Sequence, residues 1–175
     1  ATRSLEKRLC LGAATVCLAA AGLQIAITPL DITPAPRKWI VDRRAPPEVS
    51  IWDPVARLDV SKPLSVRPDF GGVLSPTLQE LVDVRIIYVD GRAPTFLLKD
   101  PFENGNPRWA SAMVQAAPYQ IRPDAEVAVI GVGGGPDLVI ALANGAKEVT
   151  GVEINRSMLK IGALFADFTG HLLEK

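Results

Sequence analysis

The chain has 175 residues, of which 48% are hydrophobic, and its 19 basic and 19 acidic side chains give a formal net charge of zero. This composition is typical of a globular domain of ordinary size. A neutral chain without a basic cluster argues against nucleic acid as the main partner. With two cysteines and one histidine, the sequence contains no pattern typical of a metal site.

Residues 1–28 form an apolar segment that predicts a helix. Its uncharged run, 9–27, follows the basic residues Arg3, Lys7 and Arg8. The run is just long enough to cross a bilayer, so it predicts a transmembrane helix and a membrane partner. A secretory signal and a buried soluble helix are the alternatives that the same run allows.

Two cysteines, Cys10 and Cys17, lie within this apolar run. In a helix they are separated by about 10 Å along the axis, which is too far for a disulfide bond. We therefore predict that both are unbridged and serve as small apolar packing residues.

Residues 29–78 contain most of the chain's 15 prolines and predict an extended connector. Alternating apolar residues between Ser50 and Val60 predict one strand within it. Trp39 and Trp52 are either membrane-interface anchors or, as we favour, residues that pack against the following domain.

Residues 79–118 predict a small β region followed by a short helix. Val82–Val89 has the composition of a strand, and Ala93–Leu98 is its return partner. The pair Asp90-Gly91 between them is a strong turn signal. We therefore expect an antiparallel hairpin here.

Two further helices are predicted. The first covers Arg108–Ala117 and is ended by Pro118. The second covers Ser157–Phe168 and is amphipathic. The side chains predicted to face inward in the second helix are Met158, Ile161, Leu164 and Phe165. His171, near the last residue in polar surroundings, is predicted to lie on the surface.

Residues 119–175 contain a strand, a glycine turn, a helix and a second strand in succession. The short apolar run 127–130 predicts a buried parallel strand. The glycine-rich turn and an apolar helical stretch follow it, and Asn144-Gly145 predicts the end of that helix. The segment 149–154 predicts the second strand. This order is typical of a nucleoside-binding βαβ unit.

Glu153, near the carboxyl end of the second strand, is the candidate for binding a ribose. It follows Gly131 by about 20 residues, a spacing at which a carboxylate can accept hydrogen bonds from a ribose diol. Pro136 occupies the place of the third glycine of a dinucleotide fingerprint, which argues against NAD. Proline instead suits the first turn of a helix, and Asp137 adds a negative charge at the positive end of that helix.

The letters I-G-x-G-G-G-P-D, followed by V-E-I-N, resemble the first motif of the S-adenosylmethionine-dependent transferases. They are most similar to the spermidine synthase-like, or polyamine aminopropyltransferase, family. Val89-Asp90-Gly91 resembles the I/L-D-G turn of that family. The family's membrane-linked subgroup has a W-x-P-x-x-R-x-x-V stretch, which is similar to Trp52, Pro54, Arg57 and Val60.

This resemblance implies an α/β fold. A small antiparallel β region would precede the first half, β-α-β-α, of a Rossmann-like transferase domain. It also implies a reaction without a metal, in which decarboxylated S-adenosylmethionine gives its aminopropyl group to a small-molecule amine. An S-adenosylmethionine-dependent methyltransferase is the alternative enzyme. A non-catalytic nucleoside-sensing module of a membrane protein is the alternative outside the enzymes.

The resemblance places one set of residues around the cofactor: Gly131, Gly133, Gly134, Gly135, Asp137, Glu153 and Ile154. Tyr119 matches a P-Y pair that faces the substrate cleft in the family, and half-buried packing is the alternative role. Two positions depart from the family pattern. Gly134 stands where the family has an acid in the glycine loop, and Asn155 stands where it has Asp.

The family's catalytic Asp follows a fourth strand that is not within these 175 residues. We therefore expect no catalytic residue here, and an inactive first half of a transferase domain with an exposed apolar flank beside Val127 and Val129. The resemblance further implies attachment to the bacterial inner membrane with the transferase domain in the cytoplasm. It also allows a homodimer.

Overall fold

The computed structural model of the protein describes residues 2–27, 46–70, 72 and 78–174. The chain divides into two units, Ala1–Thr33 and Pro34–Lys175. The first unit contains one helix, and the second contains two sheets and four short α-helices among its described residues.

The first unit contains helix α1, Thr2–Ile27, which confirms the predicted helix. Its described side chains are exposed, including Leu9 and Leu18. Cys10 and Cys17 are unbridged, as predicted, but they are exposed and do not serve as packing residues. In the part of the chain that the structure describes, no helix is both long and apolar enough to cross a membrane.

Five strands of the second unit form an antiparallel sheet. Strand β5 pairs along most of β4, so β2 and β3 share the other edge of β4, and β1 pairs with β2. The strands are β1 Val49–Trp52, β2 Arg57–Val60, β3 Leu64–Val66, β4 Val82–Val89 and β5 Ala93–Leu98.

Strands β1 to β3 lie in the segment that the sequence predicted as a connector with one strand. The prediction missed a turn inside the stretch 50–60. The carboxylate of Asp53 accepts hydrogen bonds from the backbone N–H groups of Val55 at 2.7 Å and Ala56 at 3.0 Å. This Asx-type turn reverses the chain and makes two paired strands out of one predicted strand.

The structure tests the prediction for one of the two tryptophans of this segment, Trp52. Trp52 is 57% exposed, and the Arg57 guanidinium lies 5.2 Å from the centre of its ring. The favoured prediction that Trp52 packs against the following domain is therefore wrong. Trp39 lies outside the described residues.

The hairpin of β4 and β5 confirms the sequence prediction. Val89 pairs with Ala93, and the turn between them contains Asp90 and Gly91, with φ angles of 52° and 69°. Asp and Gly are the residues that most readily adopt these left-handed angles, which is why the dipeptide specifies the turn.

The predicted helix at Arg108–Ala117 is divided into shorter pieces. Helix α2 covers Arg108–Ser111, a 3₁₀ turn covers Val114–Ala116, and α3 covers Ala117–Ile121. Pro118 was predicted to end a helix, but it lies in the first turn of α3. A proline is tolerated there because an N–H group in the first turn has no acceptor within the helix.

The predicted βαβ unit is confirmed. Strand β6, Glu126–Ile130, and strand β7, Glu148–Val152, form a parallel pair, and helix α4, Pro136–Ala143, connects them. Gly145, with a φ of 85°, follows the carboxyl end of α4. The described residues thus form a mixed α/β structure with one antiparallel and one parallel sheet.

Helix α4 packs against both sheets. Leu138 faces the parallel pair, where it contacts Val129. Val139 and Ile140 belong to the core on one face of the antiparallel sheet. The buried members of this first core are Val84, Leu98, Trp109, Ala110, Met113, Ala116, Val139, Ile140 and Leu172. Because one short helix supplies both contacts, it fixes the parallel pair relative to the antiparallel sheet.

The parallel pair is covered on one face only. Val129 is 9% exposed beneath α4, whereas Ile130 and Val152, on the opposite face, are 83% and 48% exposed. The predicted burial of this strand is therefore correct for one face and wrong for the other. Apolar side chains are thus exposed on the open face, whereas Val127 and Val129, beside which the sequence predicted an exposed flank, lie on the face that packs against Leu138.

Helix α5, Arg156–Leu164, covers the other face of the antiparallel sheet. Met158 and Ile161 are buried there, as predicted. The helix is shorter than predicted and ends at Leu164, which is 59% exposed and not inward as predicted. Phe165, just past the last turn, packs against this core, as predicted. His171 is exposed, as predicted, and lies near Asp167 and Glu174.

The start of α5 is fixed by the buried side chain of Asn155. Its carbonyl oxygen accepts hydrogen bonds from the backbone N–H groups of Ser157 at 2.8 Å and Met158 at 3.4 Å. The Ser157 hydroxyl donates to Asp53, which lowers the pKa of that carboxyl group and connects α5 to the turn between β1 and β2.

We predict that Asn155→Ala lowers the free energy of unfolding by about 1 kcal/mol, because the first amides of α5 lose their acceptor. Asn155→Ser is the matched control, since serine is a comparable N-cap residue, and it should retain most of the stability. Urea unfolding followed by circular dichroism measures both. Equal losses for the two variants would contradict the capping role.

Candidate functional site

The candidate site lies at the carboxyl ends of the two parallel strands, where open α/β sheets bind their ligands. The glycine loop that follows β6 reaches the end of β7, because the Gly131 N–H group donates to the carbonyl of Val152 at 2.8 Å. Gly135, with a φ of 98°, turns the chain into α4. Residues with a Cβ rarely adopt this angle, so the entry to the helix requires glycine.

Glu153, the predicted ribose-binding acid, contacts the glycine loop directly. Its Oε2 accepts a hydrogen bond from the Gly133 N–H group at 2.9 Å, and its Oε1 accepts one from the Asn155 N–H group at 2.8 Å. The carboxylate is half-buried. Each oxygen of an ionised carboxylate can accept a second hydrogen bond, so two protein donors leave Glu153 able to bind two hydroxyls.

Thr95, on strand β5, is a residue of the site that the sequence analysis missed. Its hydroxyl oxygen accepts a hydrogen bond from the Gly134 N–H group at 2.9 Å. It is the one polar residue of the strand APTFLL, and this is the signal that could have drawn attention to it. The antiparallel sheet therefore contributes directly to the glycine loop.

Gly134 packs against the backbone of β5. A Cβ at this position would overlap the carbonyl group of Phe96 and lie 2.9 Å from the amide nitrogen of Leu97. Backbone atoms within a paired strand cannot move aside easily. This contact gives a physical reason for glycine at the position where the resembling family has an acid.

A cleft of about 490 Å³ opens between the glycine loop and the hairpin. Five of the predicted residues line it: Gly131, Gly133, Asp137, Glu153 and Ile154. Gly134 and Gly135 do not line it, since one packs against β5 and the other begins α4. The hairpin contributes Asp90, Pro94, Thr95 and Phe96 to the opposite side.

The charged residues that line this cleft are all acidic among the described residues. They are Asp90 in the hairpin turn, Asp137 in the first turn of α4, and Glu153 after β7. No lysine, arginine or histidine is among the described residues that line it. The electrostatic potential of the cleft therefore favours cationic ligands over anionic ones.

Tyr119 is half-buried and packs against the core that contains Trp109 and Val139. It is not among the residues that line the cleft. Burial raises the pKa of its hydroxyl group, and the negative charge of Asp137 raises it further. Tyr119 therefore lies close enough to Asp137 for their charges to interact, on the side of α4 that faces the core.

The chain matches no protein-family model, and neither a curated protein sequence nor a solved structure is significantly similar to it.

We predict that Gly134→Ala lowers the free energy of unfolding by about 3 kcal/mol, because the new methyl group overlaps the backbone of β5. Gly131→Ala is the control in the same loop. Its φ is 81°, but a Cβ there would have no neighbour within 4 Å. Gly131→Ala should therefore lower the free energy of unfolding by about 1 kcal/mol, through backbone strain alone. Chemical denaturation compares the two, and equal losses would contradict the close contact at Gly134.

We further predict that Asp137→Asn lowers the pKa of Tyr119. Burial remains the main cause of the shift, so the pKa should stay above the ordinary value of about 10. The chain has two tyrosines, and a titration of tyrosinate absorbance in a Tyr88→Phe background isolates Tyr119. An unchanged curve in Asp137→Asn would contradict the interaction.

The sign of the associated stability effect follows from linkage. The folded-state pKa of Tyr119 is raised, so folding favours the neutral phenol. This contribution is fully present below the unfolded pKa of about 10 and is lost as the pH rises through the folded value.

Proposed function

We propose that the cleft binds the adenosine part of an S-adenosylmethionine-type sulfonium compound, and that the protein is a spermidine synthase-like transferase. On this proposal the βαβ unit belongs to a Rossmann-like transferase domain. The observation that carries the proposal is the position of Glu153. Its carboxylate lies at the end of the second parallel strand, contacts the glycine loop and lines the cleft.

The hydrogen bonds of Glu153 support its assignment to the ribose. The Gly133 and Asn155 amides each donate to one of its two oxygens, which restricts the orientation of the carboxylate. A ribose diol presents two adjacent hydroxyl donors, and a fixed carboxylate can accept both without rearranging. Hydrogen bonds to a charged acceptor are roughly twice as strong as those between neutral groups.

The amides of the glycine loop favour a sulfonium nucleoside over a phosphate-containing one. Loops that bind phosphate direct consecutive backbone N–H groups at the anion. Here the N–H groups of Gly133 and Gly134 already donate to Glu153 and Thr95. Together with the acidic lining, these bonds disfavour the pyrophosphate of a dinucleotide and favour a positively charged ligand.

The reaction that the resemblance implies is a nucleophilic substitution. The nitrogen of the amine forms a bond to the aminopropyl carbon beside the sulfonium, the carbon–sulfur bond breaks, and its electron pair stays on methylthioadenosine. The amine then loses a proton to a base. Residues of this cleft would bind and orient the nucleoside, which supplies the proximity part of catalysis. We assign no residue within 1–175 as the base.

A methyltransferase that uses intact S-adenosylmethionine is the second candidate. Both ligands contain the same adenosine and ribose, so the Glu153 geometry supports either. They differ in the carboxylate of the methionine tail, which the decarboxylated compound lacks. The acidic residues Asp90 and Asp137 disfavour that carboxylate, so the cleft supports the aminopropyl donor better.

We predict that Glu153→Gln weakens binding of methylthioadenosine by about tenfold, because the ribose loses a charged acceptor. Methylthioadenosine is a suitable probe, since it contains the nucleoside and no reactive sulfonium. Glu148→Gln is the matched control. Glu148 is exposed at the opposite end of the same strand and should bind the probe like the wild type. Isothermal titration calorimetry measures all three proteins.

Equal affinity of wild type and Glu153→Gln would contradict the ribose assignment. Tighter binding of NAD than of methylthioadenosine to the wild type would contradict the class of ligand. A nucleoside-sensing module would bind the probe in the same way, so this experiment tests the ligand and not the reaction.

A further inference from the structure

Thr95 is connected to Glu153 through two consecutive amides of the glycine loop. The Thr95 hydroxyl accepts from Gly134, and the next amide toward the N-terminus, that of Gly133, donates to Glu153. Adjacent peptide units share a Cα atom, so the orientation of one amide limits the orientation of the other. The Thr95 hydroxyl is therefore connected, through the loop, to the orientation of the Glu153 carboxylate.

We propose that Thr95 is a positioning residue that sets the conformation of the glycine loop and thereby the orientation of the Glu153 carboxylate. This inference rests on the proposed function, because it assigns Thr95 a role in binding the same nucleoside. It goes beyond the proposed function because it gives the antiparallel sheet, which is outside the βαβ unit, a part in binding the nucleoside.

The position of Thr95 in the sheet makes it a rigid support. It lies inside β5 and pairs with Ile87 of β4, and Ile87 is fully buried in the core against α5. Its neighbour Phe96 has its backbone against Gly134, so the loop is confined by a steric contact as well as by the hydrogen bond. A strand held in this way moves little, and its hydroxyl is a fixed reference for the loop.

The shape of Thr95 also limits the loop on a second side. A Cβ at Gly133 would lie 2.6 Å from the Thr95 hydroxyl oxygen and 3.2 Å from its Cβ. Gly133 is therefore in contact with the same side chain that holds Gly134. Thr95 limits both residues, one by a hydrogen bond and the other by contact.

The test uses Thr95→Val and Thr95→Ser in the full chain. Valine keeps the branched shape that suits a strand but cannot accept the Gly134 amide, whereas serine keeps the hydroxyl. Hydrogen exchange measured by NMR should be faster at the amides of both Gly134 and Gly133 in Thr95→Val. In Thr95→Ser both amides should exchange at nearly the wild-type rate. Thr150→Val removes the hydroxyl of an exposed residue on β7 and serves as the control.

The binding arm uses methylthioadenosine. Loss of one hydrogen bond that fixes the loop should weaken binding about fivefold to tenfold in Thr95→Val, and Thr95→Ser should restore it to within about twofold. Faster exchange at Gly134 alone, with Gly133 unchanged, would overturn the proposal, as would a serine variant that behaves like the valine variant.

The two arms separate this proposal from the function on which it rests. If the wild type does not bind methylthioadenosine, the proposed ligand is wrong, and the exchange rates still decide whether Thr95 controls the Gly133 amide. If the wild type binds the probe and both Thr95 variants bind equally well, the positioning role fails and the ligand assignment stands. If Thr95→Val does not fold, Thr95→Ala replaces it. The proposal then requires faster exchange at both Gly133 and Gly134 in the alanine variant and exchange at nearly the wild-type rate in Thr95→Ser.

Discussion

The close contact between the glycine loop and strand β5 is the constraint on which the site depends. Position 134 has no space for a side chain, because the backbone of Phe96 and Leu97 occupies it. Steric repulsion between backbone atoms rises steeply, so this contact fixes the separation of the loop from the antiparallel sheet within a narrow range. The hydrogen bond from Gly134 to Thr95 supplies the attraction that keeps them together. The cleft forms beside this contact, with the hairpin on one side and Glu153 on the other.

The elements that the sequence predicted well are those determined by local chemistry. The hairpin of β4 and β5 depends on Asp90 and Gly91, whose left-handed angles few other residues adopt readily. The βαβ unit depends on an apolar run, a glycine turn and a helix start at Pro136, all of them contiguous in the chain. Because these signals act over a few residues, a single sequence contains them in full. The position of Glu153 near the carboxyl end of the second strand was also predicted, but its hydrogen bond to the glycine loop was not.

The features that the sequence did not predict depend on contacts between distant segments. Thr95 and Gly134 are separated by 39 positions and meet only because α4 packs against both sheets. Leu164 matches the apolar period of α5, but the helix ends there, and the side chain is exposed. Strands β1 and β2 were predicted as one because the turn at Asp53 depends on a side-chain bond to backbone amides, not on glycine. In each case tertiary packing or a capping bond, not residue type alone, decides the structure.

On the proposed function, the same hydrogen bonds that stabilise the loop also prepare Glu153 for a ribose. A carboxylate without partners in a half-buried cleft would be solvated or mobile, and binding would have to order it. Here two backbone amides already hold its oxygens at 2.8 and 2.9 Å, and the glycine loop and the N-cap residue of α5 supply them. Association costs less when the binding group is already in its bound orientation, because less conformational freedom is lost. A diol that adds its hydroxyls to the remaining acceptor positions of Glu153 need not break either bond. If Glu153 binds a ribose as proposed, the same interactions increase both the stability of the loop and the affinity of the site, and a change that loosens the loop should reduce both.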